Sequence, residues 1–236
     1  MRRLVRKSNG KEHNLIVHDS PKSVSSEAFR TLRTNLQFTS PDRELKTVLV
    51  TSAAPDDGKS TVTANLAIAW AQSGSRVVLV DCDLRKPVQH KIFGLRNLPG
   101  LTGYLTENVP LEEVILPSRI MDGLDLIPAG PIPPNPADLL QSKRMRELLA
   151  ELRGKYDYVL CDAAPTVAVT DAAVLTGQVD GTVLVIRHGG VPNAMAQQVK
   201  SFLENANGRI LGVVLNRIPL TERRYQYYYY QYGEAE

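Results

Sequence analysis

Short runs rich in Val, Leu and Ile recur along the chain at Leu45–Thr51, Arg76–Asp81, Leu124–Ile127, Tyr156–Asp162, Val179–Arg187 and Arg209–Asn216. They have the length and continuity of strands buried on both faces, not the alternation of a half-exposed sheet. Between them, apolar positions at helical spacing predict helices over Lys59–Gln72, Ala137–Leu152, Asp171–Thr176 and Ala194–Asn205, with a shorter one at Leu101–Leu105. Gly74 marks the end of the first of these. Upstream, Ser25 and Ser26 followed by Glu27 resemble a helix start. Phe29, Leu32 and Leu36 then carry an apolar face to Phe38, before Pro41 and Asp42 break the chain. Prolines recur between Pro87 and Pro136, and the pattern there is less regular. Strands alternating with helices predict an α/β fold, a mostly parallel β-sheet flanked by helices on both faces. Ligands of such sheets bind beyond the carboxyl ends of the strands.

This pattern divides the chain into a flexible basic arm at 1–22, a core at 23–218 whose first helix spans 23–38, and a tail at 219–236. With 43% hydrophobic and 22% charged residues, the composition is that of an ordinary globular protein and argues against disorder. A net charge of +3 is too small to indicate nucleic-acid binding. Arg2, Arg3, Arg6, Lys7 and Lys11 crowd the N-terminus, either as a solvated tail or as a weak attraction to an anionic membrane surface or acidic partner. No apolar run approaches the roughly 18 residues of a membrane span, and the N-terminus has no apolar signal region, so a cytoplasmic location is expected. Cys82 and Cys161 fit a reducing compartment as small buried filler, and the four histidines show no metal-ligand spacing.

Candidate chemistry gathers at the predicted strand ends. The first strand leads into Ala53-Ala-Pro-Asp-Asp-Gly58-Lys59-Ser60-Thr61, and a helix follows. A strand–loop–helix frame around Gly-Lys-Ser is the setting in which backbone N–H groups cradle phosphates, with help from the helix dipole. Lys59 would bridge the β- and γ-phosphates of ATP and the Ser60 hydroxyl would ligate Mg²⁺, so Asp57, Gly58, Lys59, Ser60 and Thr61 form the candidate nucleotide-binding segment. Asp56 and Asp57 put like charge near a triphosphate unless their side chains point away or reach Mg²⁺ through water. The Gly-rich loop, His-Arg-Asp and Asp-Phe-Gly signatures of eukaryotic protein kinases are absent.

Two further strands end in aspartate, at Asp81-Cys82-Asp83 and at Asp162. If extended geometry persists, Asp81 and Asp83 face one side with Cys82 opposite. Phosphoryl transfer depends on positioning and charge stabilisation. Asp81 is accordingly assigned to orient an acceptor hydroxyl and take its proton, Asp83 to support the metal, and Asp81 and Asp162 with Ser60 to coordinate it. The tail Tyr225-Gln-Tyr227-Tyr228-Tyr229-Tyr230-Gln-Tyr232 supplies a string of phenol acceptors. Such a cluster could instead be adhesive or stack on nucleic acid, but it lacks interleaved Arg and Lys beyond Arg223 and Arg224.

Together the loop, the motifs ending Asp81-x-Asp83-x-Arg85 and Asp162, the stretch Pro133-Pro-Asn-Pro136 followed by Asp138-Leu-Leu, and the terminal tyrosines resemble the bacterial tyrosine kinases of capsule and exopolysaccharide synthesis. The resemblance runs from about Glu27 to the tail and implies a P-loop NTPase of the deviant Walker type. It implies ATP- and Mg²⁺-dependent autophosphorylation of Tyr225, Tyr227, Tyr228, Tyr229, Tyr230 and Tyr232 in trans, within a homo-oligomeric ring. It also implies recruitment to the inner face of the membrane by the cytoplasmic segment of a transmembrane adaptor, a cognate tyrosine phosphatase, protein substrates of the polysaccharide pathway, and no nucleic acid. Glu27, Arg30 and Arg33 match the family's oligomerisation helix, Arg85 joins the nucleotide-binding set, and Asn216 resembles the adenine-reading asparagine of related ATPases. Where the family usually has a glycine and a hydroxyl residue, this chain has Asp56 and Ala163. The competing readings are a non-kinase ATPase switch of the partitioning or division-site type, which would carry a lysine where Ala54 stands, and a catalytically weak assembly scaffold.

Overall fold

The computed structural model describes residues 15–39, 44–107 and 109–219. The basic residues from Arg2 to Lys11 and the tail tyrosines Tyr225 to Tyr232 lie outside them. The described residues form one sheet of β1 (Thr47–Ser52), β2 (Val77–Asp81), β3 (Leu116–Pro117), β4 (Leu124–Ile127), β5 (Tyr158–Asp162), β6 (Gly181–Arg187) and β7 (Ile210–Asn216). The strand order is β3-β4-β2-β5-β1-β6-β7, and every neighbouring pair is parallel except β3 with β4. Burial on both faces explains the continuous apolar runs. Leu49, Val78 and Val80 join one core layer, whereas Val48, Val50, Val77 and Leu79 join the other.

The second layer is covered by α1 (Ile16–Asp19), α2 (Val24–Phe38), α3 (Lys59–Ala71) and α4 (Gln89–Ile92). On the first lie α5 (Gly100–Glu107), α6 (Leu111–Val114), α7 (Pro136–Gln141), α8 (Lys143–Lys155), α9 (Asp171–Thr176) and α10 (Asn193–Asn205). Every residue of α3 except Thr61 is buried, because this helix lies between the sheet and α1 and α2. Trp70 near its end stacks on Tyr158 with ring centroids 4.4 Å apart.

Several expectations are corrected. Residues 15–22, read as part of a flexible arm, include α1, whose Val17 is fully buried and donates its N–H to Asn65 Oδ1 at 3.0 Å. The cap of α2 is Ser23, whose Oγ accepts from Ser26 N at 3.2 Å, while Ser26 is buried. The single helix expected over Ala137–Leu152 is two, α7 and α8. Ser142 leaves helical geometry with ψ 156° and caps α8 by accepting Met145 N at 3.1 Å. β1 begins at Thr47 and not Leu45, because the Asp180 carboxylate takes the Lys46 and Thr47 N–H groups at 2.9 and 2.8 Å. No described helix is long and apolar enough to cross a membrane.

Candidate active site

The turn from β1 into α3 builds the phosphate loop. Gly58 caps α3 with φ +93°, a left-handed conformation, and a Cβ there would come within 2.3 Å of Asn216 Nδ2. Only glycine fits, and this leaves the N–H groups at the start of α3 open to an anion. The loop is braced on both sides. Asp57 Oδ2 accepts Ala54 N at 2.9 Å, and Asn216 Nδ2 at the end of β7 donates to the Asp57 carbonyl at 2.8 Å. The Asp57 carboxylate is therefore buried, with its Oδ2 bonded into its own turn. Asp56 is exposed with φ +64°, so the position where the family usually carries glycine is left-handed here.

Lys59 is the centre of the charge arrangement. Its Nζ lies 2.9 Å from Asp83 Oδ2, 3.1 Å from Asp162 Oδ1 and 3.1 Å from Ser60 Oγ. Burial works against its charge, but Asp162 and Asp83 outweigh burial and hold its pKa above the ordinary lysine value. Asp81 and Asp162 are register partners at the ends of β2 and β5, both fully buried. Burial, reinforced by the charge on Asp162, pushes the Asp81 carboxyl up to about 8, against the opposing effects of the Gln89 N–H and Lys59. Asp81 Oδ2 accepts Val88 N and Gln89 N at 3.1 and 3.0 Å, and Asp83 Oδ1 accepts Lys86 N at 3.0 Å. Lys59, Ser60, Asp81, Asp83 and Asp162 thus lie together, and Cys82 turns with Cys161 into the opposite core layer, both buried and free of a disulfide.

Two expected nucleotide contacts have partners within the chain. Arg85 forks onto Asp171, Nε to Oδ2 at 2.8 Å and Nη2 to Oδ1 at 2.9 Å, providing the counter-charge for a fully buried carboxylate. Asn216, expected to read adenine, supports the loop. Thr61 follows Ser60 in the first turn of α3. On α2, Glu27 and Arg30 pair with each other and Arg33 Nη1 donates to the Ala69 carbonyl at 2.8 Å, contacts made within the chain. Ala163 is fully buried in the apolar layer.

Sequence reasoning missed Gln89 and Asp171. Gln89 is fully buried and donates Nε2 to Asp162 Oδ2 at 2.8 Å and to the Ser60 carbonyl at 3.0 Å. Its signal is a polar residue on an apolar stripe, with Ile92 and Phe93 at helical spacing from it. For Asp171 no local signal exists, since its partner is distant in sequence.

Among the described residues no three His, Cys, Asp or Glu side chains form a ready-made metal cage. Mg²⁺ in phosphoryl-transfer sites is held by one or two carboxylates with substrate phosphates and waters. The Ser60 hydroxyl, the paired buried carboxylates and the glycine-only turn fit that group beside a nucleotide.

Residues 45–235 match the ParA family model, described as an NUBPL iron-transfer P-loop NTPase. The fold and site are accordingly those of a P-loop NTPase. The chain is 44% identical over 227 residues to the tyrosine-protein kinase YwqD of Bacillus subtilis, covering 95% of both. The kinase domain of the Escherichia coli tyrosine kinase ETK is similar at TM-score 0.83 and 36% identity, covering 91% of this chain and 85% of that one. The septum site-determining protein MinD of Pyrococcus horikoshii, solved with Mg-ADP, is more distant, at TM-score 0.63 and 25% identity, covering 76% and 73%. The chain belongs to the bacterial tyrosine-kinase family.

Proposed function

We propose that the chain is an ATP- and Mg²⁺-dependent autokinase that phosphorylates its C-terminal tyrosines in trans. The observation that carries this reading is the convergence of Lys59 with Ser60, Asp83 and Asp162 beside a braced phosphate loop, in a chain that also bears a tyrosine cluster. Lys59 and the N–H groups at the start of α3 would hold the β- and γ-phosphates of the substrate ATP, with Thr61 in the same turn. Ser60, Asp81 and Asp162 would hold Mg²⁺, with Asp83 in support. Bound Mg²⁺ would neutralise charge on the phosphates as transfer proceeds. The acceptor phenol oxygen forms the new bond to the γ-phosphorus, the bond to ADP breaks, and the phenol proton passes to Asp81.

Family membership supports the remainder of the proposal. Tyr225, Tyr227, Tyr228, Tyr229, Tyr230 and Tyr232 are the acceptors, presented between subunits of a ring whose contacts involve Glu27, Arg30 and Arg33. A membrane adaptor's cytoplasmic segment recruits and activates the ring, a phosphatase resets it, and it regulates capsular or exopolysaccharide synthesis. Each added phosphate carries about −1.5 to −2 charge, which repels the tail from a carboxylate-lined site and loosens the ring.

The test mixes two proteins with Mg²⁺–ATP: Lys59→Met with its tail intact, and a wild-type core with every tail tyrosine changed to phenylalanine. Phosphotyrosine mapped on the Lys59→Met tail establishes transfer between copies. No label on wild type alone, with or without the adaptor segment, would overturn the kinase reading and return the ATPase switch or the scaffold.

A further inference from the structure

Gln89 touches all three parts of the site. Its backbone N–H donates to Asp81 Oδ2, and its side-chain Nε2 donates both to the carbonyl of Ser60 in the phosphate loop and to Asp162 Oδ2. The side chain is fully buried, and its Oε1 has no hydrogen-bond partner among the described residues. Which end of the amide is nitrogen is dictated by the surroundings. A flipped amide would set its oxygen against a carboxylate and a carbonyl, three acceptors with no proton among them. The oxygen is therefore the end left over, a buried acceptor with no donor among the described residues. Native interiors keep few such orphans, and those they keep often belong to a water or ion that completes them.

Resting on the kinase reading above, we propose that Gln89 is a positioning residue for Mg²⁺. Through Nε2 it fixes the rotamer of Asp162, and through Oε1 it accepts a hydrogen bond from a water carried by the metal. A neutral amide suits this place. It supplies two donors to acceptors that need them and one acceptor to a hydrated cation, without adding a further negative charge beside Asp81 and Asp162. The same side chain links the Ser60 carbonyl to Asp162, so the loop's metal-facing hydroxyl and the strand's carboxylate are held in one register.

The measurement is binding of the fluorescent nucleotide mant-ADP to the full chain, in EDTA and across a Mg²⁺ titration. Wild type is compared with Gln89→Met, which keeps the length and removes both polar ends, and Gln89→Asn, which keeps the amide one methylene short. In both variants the loss of mant-ADP affinity should be larger in Mg²⁺ than in EDTA, and the Mg²⁺ concentration for half-maximal tightening should rise by about 10- to 100-fold. Equal losses in EDTA and Mg²⁺ would make Gln89 purely architectural and overturn the proposal. Wild-type Mg²⁺ dependence in both variants would overturn it too, as would loss of a cooperative melt in both. If wild type itself gains nothing from Mg²⁺, the role assigned to Gln89 fails, whereas the kinase reading is judged separately by phosphotyrosine on the tail.

Discussion

Asp81 and Asp162 stand opposite one another at the ends of adjacent parallel strands, and both are shut off from solvent. Two carboxylates so placed resist ionising together, and the Asp81 carboxyl is raised from 3.8 to about 8 by burial and by the charge on Asp162. Between those limits the unfolded chain binds fewer protons than the folded one, so this group makes stability fall as pH rises. Asp81→Asn removes that slope. In EDTA and without nucleotide, the melting temperature of Asp81→Asn relative to wild type should climb steadily as pH rises from about 5 toward 8. Parallel melting curves would show that Asp81 does not titrate there.

Gly58 and Asn216 leave no room for a side chain between them. Gly58→Ala forces a left-handed alanine, costing about 1–2 kcal/mol, and drives its methyl into the Asn216 amide. Mant-ADP affinity should drop by about tenfold or more, and adding Asn216→Ala should recover part of the loss. Asn216→Ala alone removes one hydrogen bond to the loop, about 1 kcal/mol. That loss should be equal for adenine and guanine nucleotides. A loss confined to adenine would mean that Asn216 reads the base.

Asp56 holds a left-handed conformation with an exposed carboxylate. Glycine would adopt that backbone without strain and remove a negative charge from the phosphate approach. Asp56→Gly should therefore bind ATP a few-fold more tightly, roughly 0.5–1 kcal/mol, with tail phosphorylation at least maintained in a quantitative phosphotyrosine blot. Weaker binding would mean that the Asp56 carboxylate itself assists the ligand.

Arg85 and Asp171 form a fork that joins the segment after β2 to the start of α9. A double-mutant cycle with Arg85→Ala and Asp171→Asn, read by denaturant unfolding, should give a coupling of about 1–3 kcal/mol. The Arg85 side chain is 40% exposed, which argues for the lower half of that range. Nucleotide affinity should change little in either single variant. A large, Asp171-independent drop with Arg85→Ala would return Arg85 to the phosphates.

Residues whose meaning is local were legible in the sequence. The strands around Leu49, Val78 and Leu160 announced themselves because both faces of the sheet are covered, and Lys59, Ser60, Asp81, Asp83 and Asp162 because each ends or follows such a run. What escaped depends on contacts made far along the chain. The apolar spacing of α7 continues into α8, and nothing in it reveals that Ser142 folds out to cap. Leu15 and Val17 form too short a segment for periodicity, yet they bury against α3. Asp171 and Gln89 acquire their partners only when loops from distant strands meet.

One ammonium, on Lys59, faces the carboxylates of Asp81, Asp83 and Asp162 inside a closed interior. Anything that brings further positive charge to these carboxylates and binds only the folded chain will raise its resistance to unfolding with the logarithm of its concentration. Stability of the fold and occupancy of this site are consequently linked. On the proposed function, a chain deprived of magnesium-bound nucleotide would open more readily to proteolysis.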